Sequence, residues 1–513
     1  MQKNKYGQYF TPQFMAEFMV SLLTCAKEGT ILEPSSGKGV FLEALEQAGY
    51  FHWTAYEIDS SLILNTRVIN DSFVSVEIPQ LFDAVIGNPP YIRWRNLEDN
   101  LKEELLGSSL WNSLFNSLCD YLFFFIARSI LLLREGGELI FICSDYWLNS
   151  TNGSTLRKFI LEHGSIESIY HYREANIFSG VTASFMVFKF VKAARRAQIQ
   201  LYTYIGERNI NLSRLRDSKS YEIRDIPSFQ PDERWILATE DQQQEARSLE
   251  RACSRGHKGL FAEQSIHRIG DFFYIGNGLV SGLDKAFNLT AIQADLSPQE
   301  QKKTIKVVKA KDILPYSYSM VSTYAYIEDK ELFEEELTTQ YPMIHKAIFP
   351  YRDALQRRYQ YGRTIDYWSF TFPRNKTLFD TDVRRILVPS KDRISKRQYF
   401  RFCLAPQGIY PLQDVTGIVP KKHCKESLEY VVAYLNSSQV FDWLSLNGIV
   451  KGEVVEFSEA PLASIPYRSI DWDDVNEVAL HNQITSLVQE SMGAGKAVPK
   501  ERINKLITEL VWI

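Results

Sequence analysis

Residues 31–45, ILEPSSGKGVFLEAL, pass from an apolar run through a tight Gly37-Lys38-Gly39 turn into a segment whose apolar residues, Phe41, Leu42, Ala44 and Leu45, recur at helical spacing. A strand, a turn and a helix within fifteen residues form the opening unit of a doubly wound α/β sheet. The pattern repeats outward. GTILEP (29–34), WTAYEI (53–58), DAVIGN (83–88) and ELIFIC (138–143) predict strands, with helices between them at FLEALEQAGY and DYLFFFIARSILLLREGG, the latter expected to stop at Gly136-Gly137. Such alternation means a mostly parallel sheet covered on both faces. Three more runs, SIESIYHY (165–172), ASFMVFKF (183–190) and IQLYTY (199–204), have hairpin-like spacing and predict an antiparallel edge, making seven strands.

The rest of the chain sets the bounds. At 513 residues it exceeds what one hydrophobic core supports, and 45% hydrophobic with 13% aromatic residues excludes disorder. Residues 1–240 are read as the first domain. The polar stretch 241–264 is expected to be a linker or exposed helix, and 265–513 a mixed α+β domain whose helices gather after about 427. The six cysteines form no CxxC pair, and the opening MQKNKYGQYF has no apolar signal region, so a reducing, cytoplasmic setting is expected. The most apolar stretch, Tyr121 to Leu133, is interrupted by Arg128 and is read as a buried helix, not a membrane span. No His recurs at i,i+4 with a carboxylate, so no metal site is expected.

Chemistry concentrates at strand ends. Asn88-Pro89-Pro90-Tyr91 directly follows the apolar run FDAVIG. Two prolines fix φ and lack N–H groups, which leaves backbone carbonyls free to accept hydrogen bonds where open α/β sheets bind their ligands. Tyr91 adds a stacking face. Upstream, Glu33-Pro34 closes a strand before the glycine turn, and Leu42 stands where a dinucleotide-binding GxGxxG needs its third glycine. With Glu33 and Glu57 placing negative charge around the turn, a pyrophosphate cofactor is disfavoured. Glu57, read as an exposed strand-end residue, suits two ribose hydroxyls, and Asp71 an adenine amino group.

In their order, GQYFTP (7–12), LEPSSGKG (32–39), YEID (56–59), NDSF (70–73), IGNPPY (86–91) and IFSG (177–180) resemble the motifs of the γ-class S-adenosylmethionine-dependent DNA adenine-N6 methyltransferases of restriction–modification systems, the TaqI type. The resemblance is close over about the first 190 residues and looser beyond 265. It implies a Rossmann-like class I methyltransferase domain plus a mixed α+β target-recognition domain, with S-adenosylmethionine as cofactor and duplex DNA as partner. By resemblance, Thr11 and Pro12 lie over the methionine moiety, Glu33, Pro34, Ser35, Gly37 and Gly39 shape the cofactor loop, Glu57 holds the ribose with Ile58 also on the cofactor, and Asp71 meets the adenine. Asn88, bordering the cofactor, and Pro89 then hold the target amino group, with Pro90 stiffening the turn and Tyr91 and Phe178 sandwiching a flipped-out base. In Phe178's motif, Ser179 stands where the family commonly has proline.

Residues 374–425 carry twelve basic and four acidic side chains, interleaved with Tyr399, Phe400 and Phe402. Beside a DNA methylase this run is read as a phosphate-binding surface through Arg374, Lys391, Arg393, Lys396, Arg397 and Arg401. Three other readings compete. An RNA or release-factor glutamine methyltransferase would be shorter, and a modification subunit dependent on a specificity chain would be mostly helical after the first domain. A catalytically silent DNA-binding protein would not need Asn88-Pro89-Pro90-Tyr91 intact. A monomer with a cognate restriction endonuclease as functional counterpart is expected.

Overall fold

The computed structural model describes residues 9–178, 183–193, 197–254, 266–328, 332–360, 362–394 and 398–512. The chain divides into two compact units, Met1–Gln242 and Gln243–Ile513.

The first unit is built on one sheet of eight strands: β1 (Ile31–Glu33), β2 (Trp53–Ala55), β3 (Phe82–Gly87), β4 (Leu133–Ser144), β5 (Ser165–His171), β6 (Phe185–Val191), β7 (Gln198–Tyr204) and β8 (Tyr221–Pro227). Their spatial order is β2-β1-β3-β4-β6-β5-β7-β8. The first four pair in parallel. The core lies on both faces. Leu32, Val85, Leu139 and Phe188 pack on one side with the helix Tyr121–Leu131, whereas Ile31, Ala84, Ile86, Ile140 and Val187 pack on the other with the helices Gln13–Val20 and Val40–Gln47. Burial on both faces is why these strands read as near-continuous apolar runs.

Three sequence expectations change. Antiparallel pairing is not confined to an edge: β6 lies inside the sheet, antiparallel to both β4 and β5. Six of its seven residues are buried, and Lys189, buried among them, is held by Glu138 at 2.7 Å and Glu167 at 3.4 Å. An eighth strand, β8, pairs antiparallel with β7, where seven were expected. Finally, the helix from Tyr121 ends at Leu131, well before Gly136-Gly137. Leu133 already pairs with Phe82, and Gly136 adopts φ +79° inside the strand while its N–H bonds the Lys192 carbonyl at 2.7 Å.

The order of the strands positions the site. The chain leaves β1 for β2 on one side and returns to β3 on the other, so the loops after β1 and β3 diverge and open a crevice at their carboxyl ends. Glu33-Pro34 and Asn88-Pro89 both stand there.

The second unit carries a four-stranded sheet (Cys403–Ala405, Arg385–Pro389, Val415–Pro420, Phe273–Asn277) and two three-stranded sheets, followed by the helices Leu428–Leu435, Ser438–Asn447, Val475–Gly493 and Lys500–Trp512. The stretch read as a linker opens with the helix Glu240–Ala252. Its Leu249 and Ala252, with Cys253, share one face and are buried in the second unit's core. All six cysteines are unpaired, with Cys119, Cys143, Cys253 and Cys403 buried. Among the described residues no helix is long and apolar enough to cross a membrane.

Candidate active site

The loop after β1 is held by backbone geometry that glycine supplies. Gly37 (φ +53°) and Gly39 (φ +88°) are left-handed, and Gly39 starts the helix Val40–Gln47. The loop folds back on β2, with Ser36 N–H donating to the Tyr56 carbonyl at 2.9 Å. Glu57 locks it: its carboxylate accepts from Gly37 N–H at 2.7 Å and Asp59 N–H at 2.8 Å. Glu57 is therefore buried, not the exposed strand-end residue its position suggests.

Beside it Glu33 is only 1% exposed, and its Oε2, like the Oγ of Ser36, has no partner among the described residues. Burial, reinforced by the charge of Glu57, pushes the Glu33 carboxyl well above its ordinary value. Glu57 is also raised by burial, against the backbone N–H groups that pull it down. A buried carboxyl with an orphaned oxygen, set beside a second buried carboxyl, calls for a ligand that brings hydroxyls or a cation.

The two carboxyls line a cleft that opens to solvent. Tyr9, Phe10 and Thr11 border it, as do the 33–38 loop, Glu57, Ile58, Asp71 to Phe73 and Asn88 to Pro90. Pro12 and Gly39 shape its frame without lining it: the Pro12 carbonyl accepts from Met15 and Ala16 at the head of the helix Gln13–Val20. Exposed Asp71 stands at the rim. Phe73 is fixed from behind by Arg128, whose guanidinium lies 5.0 Å from the ring and bonds the Val74 and Val76 carbonyls. Leu101, Tyr121 and Phe125 complete an apolar wall that the motifs did not reveal. The i,i+4 spacing of Tyr121 and Phe125 was the one available signal.

At the carboxyl end of β3, the Asn88 amide nitrogen donates to the Tyr9 carbonyl at 2.7 Å and to Thr11 Oγ1 at 3.0 Å. A carbonyl only accepts, so it orients the amide. The Asn88 carboxamide oxygen thus faces the Tyr91 hydroxyl, which has one proton for two acceptors, that oxygen and the Ile142 carbonyl at 2.7 Å. Burial pushes the Tyr91 phenol well above its ordinary value, so it stays a donor. Ser35 Oγ donates to the Asn88 carbonyl at 3.3 Å. Among the described residues no donor reaches the Pro89 carbonyl.

The aromatic residues do not form a simple pair. Tyr9 stacks on Tyr91 with centroids 5.9 Å apart and 26° between planes, and lies 5.9 Å from Phe178 at 54°. Among the described residues no ring contact joins Tyr91 directly to Phe178. Phe185, at the start of β6, contacts both, 6.2 Å from Tyr91 and 4.7 Å from Phe178. Preceding it, Ser184 shares Asp145 with His171, which fixes the carboxyl ends of β4 and β5 to the start of β6.

The basic run looks different once folded. Arg401 grips Asp392 with Nε at 3.0 Å and Nη2 at 2.9 Å and also bonds the Ala310 and Ile313 carbonyls. Arg393 pairs with Glu453 at 3.3 Å, Arg384 with Glu429 at 2.9 Å, and Lys376 with Asp380 and Glu328. Arg385 is wholly buried on three carbonyls. Arg374 donates to the Gly278 carbonyl, and Lys391 is exposed on a short strand. Lys396 and Arg397 lie outside the described residues. Phe400 and Phe402, interleaved with the run read as a DNA-binding surface, are fully buried in the second unit's core. Among the described residues no group of three or more His, Cys, Asp or Glu side chains converges as metal ligands would.

Residues 42–178 match the family described as Eco57I restriction-modification methylase. Over 500 residues the chain is 42% identical to the type II methyltransferase M.HindII of Haemophilus influenzae, covering 95% of this chain and 94% of that one. It is 40% identical over the same length to the type II methyltransferase M.HincII of Haemophilus influenzae, with the same coverage. The chain belongs to the type II restriction–modification methyltransferases. Its fold extends beyond these relatives: a structure of the type IIL restriction-modification enzyme MmeI in complex with DNA superposes with a TM-score of 0.62 at 12% identity, covering 97% of this chain and 72% of that one. The cofactor of this type II methyltransferase is S-adenosylmethionine.

Proposed function

We propose that this methyltransferase modifies the exocyclic N6 of an adenine flipped out of duplex DNA. The observation that carries this reading is the placement of the Asn88 carboxamide oxygen beside the Pro89 carbonyl, which no donor reaches among the described residues, at the edge of the acidic cleft. The cleft suits the cofactor: orphaned Glu33 Oε2 and the Glu57 carboxylate meet hydroxyl and ammonium donors, while Ile58, Phe73 and Phe125 provide apolar surface for a purine. S-adenosylmethionine supplies an electrophilic methyl group on a sulfonium.

An adenine amino nitrogen is a weak nucleophile because its lone pair is delocalised into the ring. When Asn88 Oδ1 and Pro89 O accept its two N–H groups, they hold the nitrogen in line and favour the pyramidal, electron-rich form. The chain thereby contributes positioning and electrostatics, with no covalent enzyme intermediate. Reaching the base requires extrusion from the helix at a cost of a few kcal/mol, offset by stacking on Tyr91 and Phe178. Residues 265–513 choose the sequence in this reading, with Lys391, Arg374 and the 396–397 pair supplying phosphate contacts. The enzyme acts as a cytoplasmic monomer, with a cognate restriction endonuclease as its functional counterpart, in keeping with the restriction–modification relatives.

Expression of the chain in cells free of other DNA methylation, followed by mass spectrometry of digested nucleosides, tests the reading. N6-methyladenine is expected. N4-methylcytosine without methyladenine overturns the assignment of the base.

A further inference from the structure

We propose that Tyr9 is the resident occupant of the target-base slot, and that the incoming adenine displaces its ring. The proposal rests on the methyltransferase reading above.

Three observations carry it. Tyr9 touches both aromatic walls, near-parallel to Tyr91 and 5.9 Å from Phe178, and unlike buried Phe185, which also touches both, it borders the cleft, so it stands where a stacked purine would lie. Its ring is nonetheless not locked in: Tyr9 is 41% exposed. It is also tethered by its backbone rather than its side chain, because the bond from the Asn88 amide ends on the Tyr9 carbonyl. Rotation about χ1 therefore removes the ring while leaving the amide aimed.

The Asn88 oxygen is covered in the same state. The Tyr91 hydroxyl donates toward it, with the Ile142 carbonyl as its second acceptor at 2.7 Å. When a base amino group arrives, the Tyr91 proton turns to Ile142 and the Asn88 oxygen is released to the adenine. Both substitutions are like for like: a ring replaces a ring, and an N–H donor replaces an O–H donor. Neither Asn88 Oδ1 nor the aromatic walls are left bare between turnovers, which lowers the desolvation cost of keeping a slot ready.

Phe10, next in the chain, lies over the cofactor loop, with Lys38 Nζ 5.1 Å from its ring and both residues lining the cleft. A segment of three residues, Tyr9 to Thr11, thus roofs the cofactor cleft at one end and fills the base slot at the other.

The test is steady-state transfer of tritiated methyl groups to genomic DNA from cells lacking DNA methylation. The wild-type chain, Tyr9→Ala and Tyr9→Phe are compared. If Tyr9 competes with the base, Tyr9→Ala lowers KM for DNA by about three- to tenfold, the worth of one aromatic contact no longer to be displaced. Tyr9→Phe retains the wild-type KM because it keeps the ring. A KM that is unchanged or raised in Tyr9→Ala, with the wild type active, overturns the proposal alone. No transfer by the wild-type chain overturns the methyltransferase reading and this proposal with it.

Discussion

The cofactor cleft and the basic run of the second unit treat polar groups in opposite ways. In the cleft, Glu33 Oε2, Ser36 Oγ and the Pro89 carbonyl have no partner among the described residues, and burial drives two carboxyls upward. In the run from Arg374 to Lys425, most cations are already engaged, several by carboxylates from far along the chain such as Glu328, Glu429 and Glu453. A buried polar group without a partner costs about 1–3 kcal/mol, and two adjacent ones mark a place where a ligand completes the bonding. A count of charges along a sequence carries no such information, because the partners come from elsewhere in the fold.

The sharpest break of this comparison is Asn88→Ala. It removes the acceptor aimed at the target nitrogen, and transfer of tritiated methyl groups should fall by about 10²–10³-fold while duplex binding by gel shift is retained. Transfer near the wild-type rate would show that the open acceptors of the cleft are not where the chemistry occurs.

Next in size is Arg401→Ala. It strands Asp392, which is only 13% exposed, and should cost on the order of 2–3 kcal/mol in urea unfolding, with DNA affinity of the folded protein unchanged. Lost affinity at unchanged stability would return Arg401 to the DNA.

Glu33→Gln probes the cleft from the other side. A hydrogen bond to a charged group is worth about 1.5–3 kcal/mol, so affinity for S-adenosylmethionine, read by calorimetry, should drop about 10- to 100-fold. The free protein should instead gain stability. The Glu33 carboxyl holds its proton more tightly folded than unfolded, so its contribution is complete below the ordinary value of 4.5 and is lost as pH rises through the raised folded value. Thermal melting of the cofactor-free protein should therefore show the variant gaining on the wild type from acid toward neutral pH. For the same reason cofactor binding to the wild type should release protons and weaken as pH falls through that raised value. An identical pH profile for the two proteins would place the ionisation elsewhere.

The smallest effect belongs to Lys391→Ala. One exposed cation contributes at most about 0.9 to the slope of log affinity against log salt, and titrations on specific and random duplexes should lose that much equally. A loss confined to one sequence would make Lys391 a base reader.

What the sequence disclosed follows the range of the interactions. Strands β1 to β4 and the turns after β1 and β3 are set by neighbours within a few residues, so Glu33, Gly37, Gly39 and Asn88 could be placed before any contact was known. Long-range pairing was hidden. The position of β6 depends on partners from β4 and β5, although six apolar residues in FMVFKFV were a sign of an interior strand. Likewise Phe400 and Phe402 belong to a core formed with helices from beyond 427, and Tyr121 and Phe125 reach the cleft only through packing of their helix. Glu57 could be placed at a strand end along the chain but not in depth, because the hydrogen bonds to its buried carboxylate come from the loop it holds and from Asp59.

The unpaired cysteines have a practical consequence for chemical labelling. Burial pushes the thiols of Cys25, Cys143, Cys253 and Cys403 up to about 12 and raises Cys119 and Cys424 as well. At pH 8 a thiol of that acidity is thiolate in about one molecule in ten thousand, and thiolate is the reactive form. Maleimides and iodoacetamides should therefore leave the native chain almost unmodified. A single cysteine introduced at exposed Phe10 could carry a fluorophore without removing any natural one, and would report movement of the segment over the cleft in the otherwise unaltered protein.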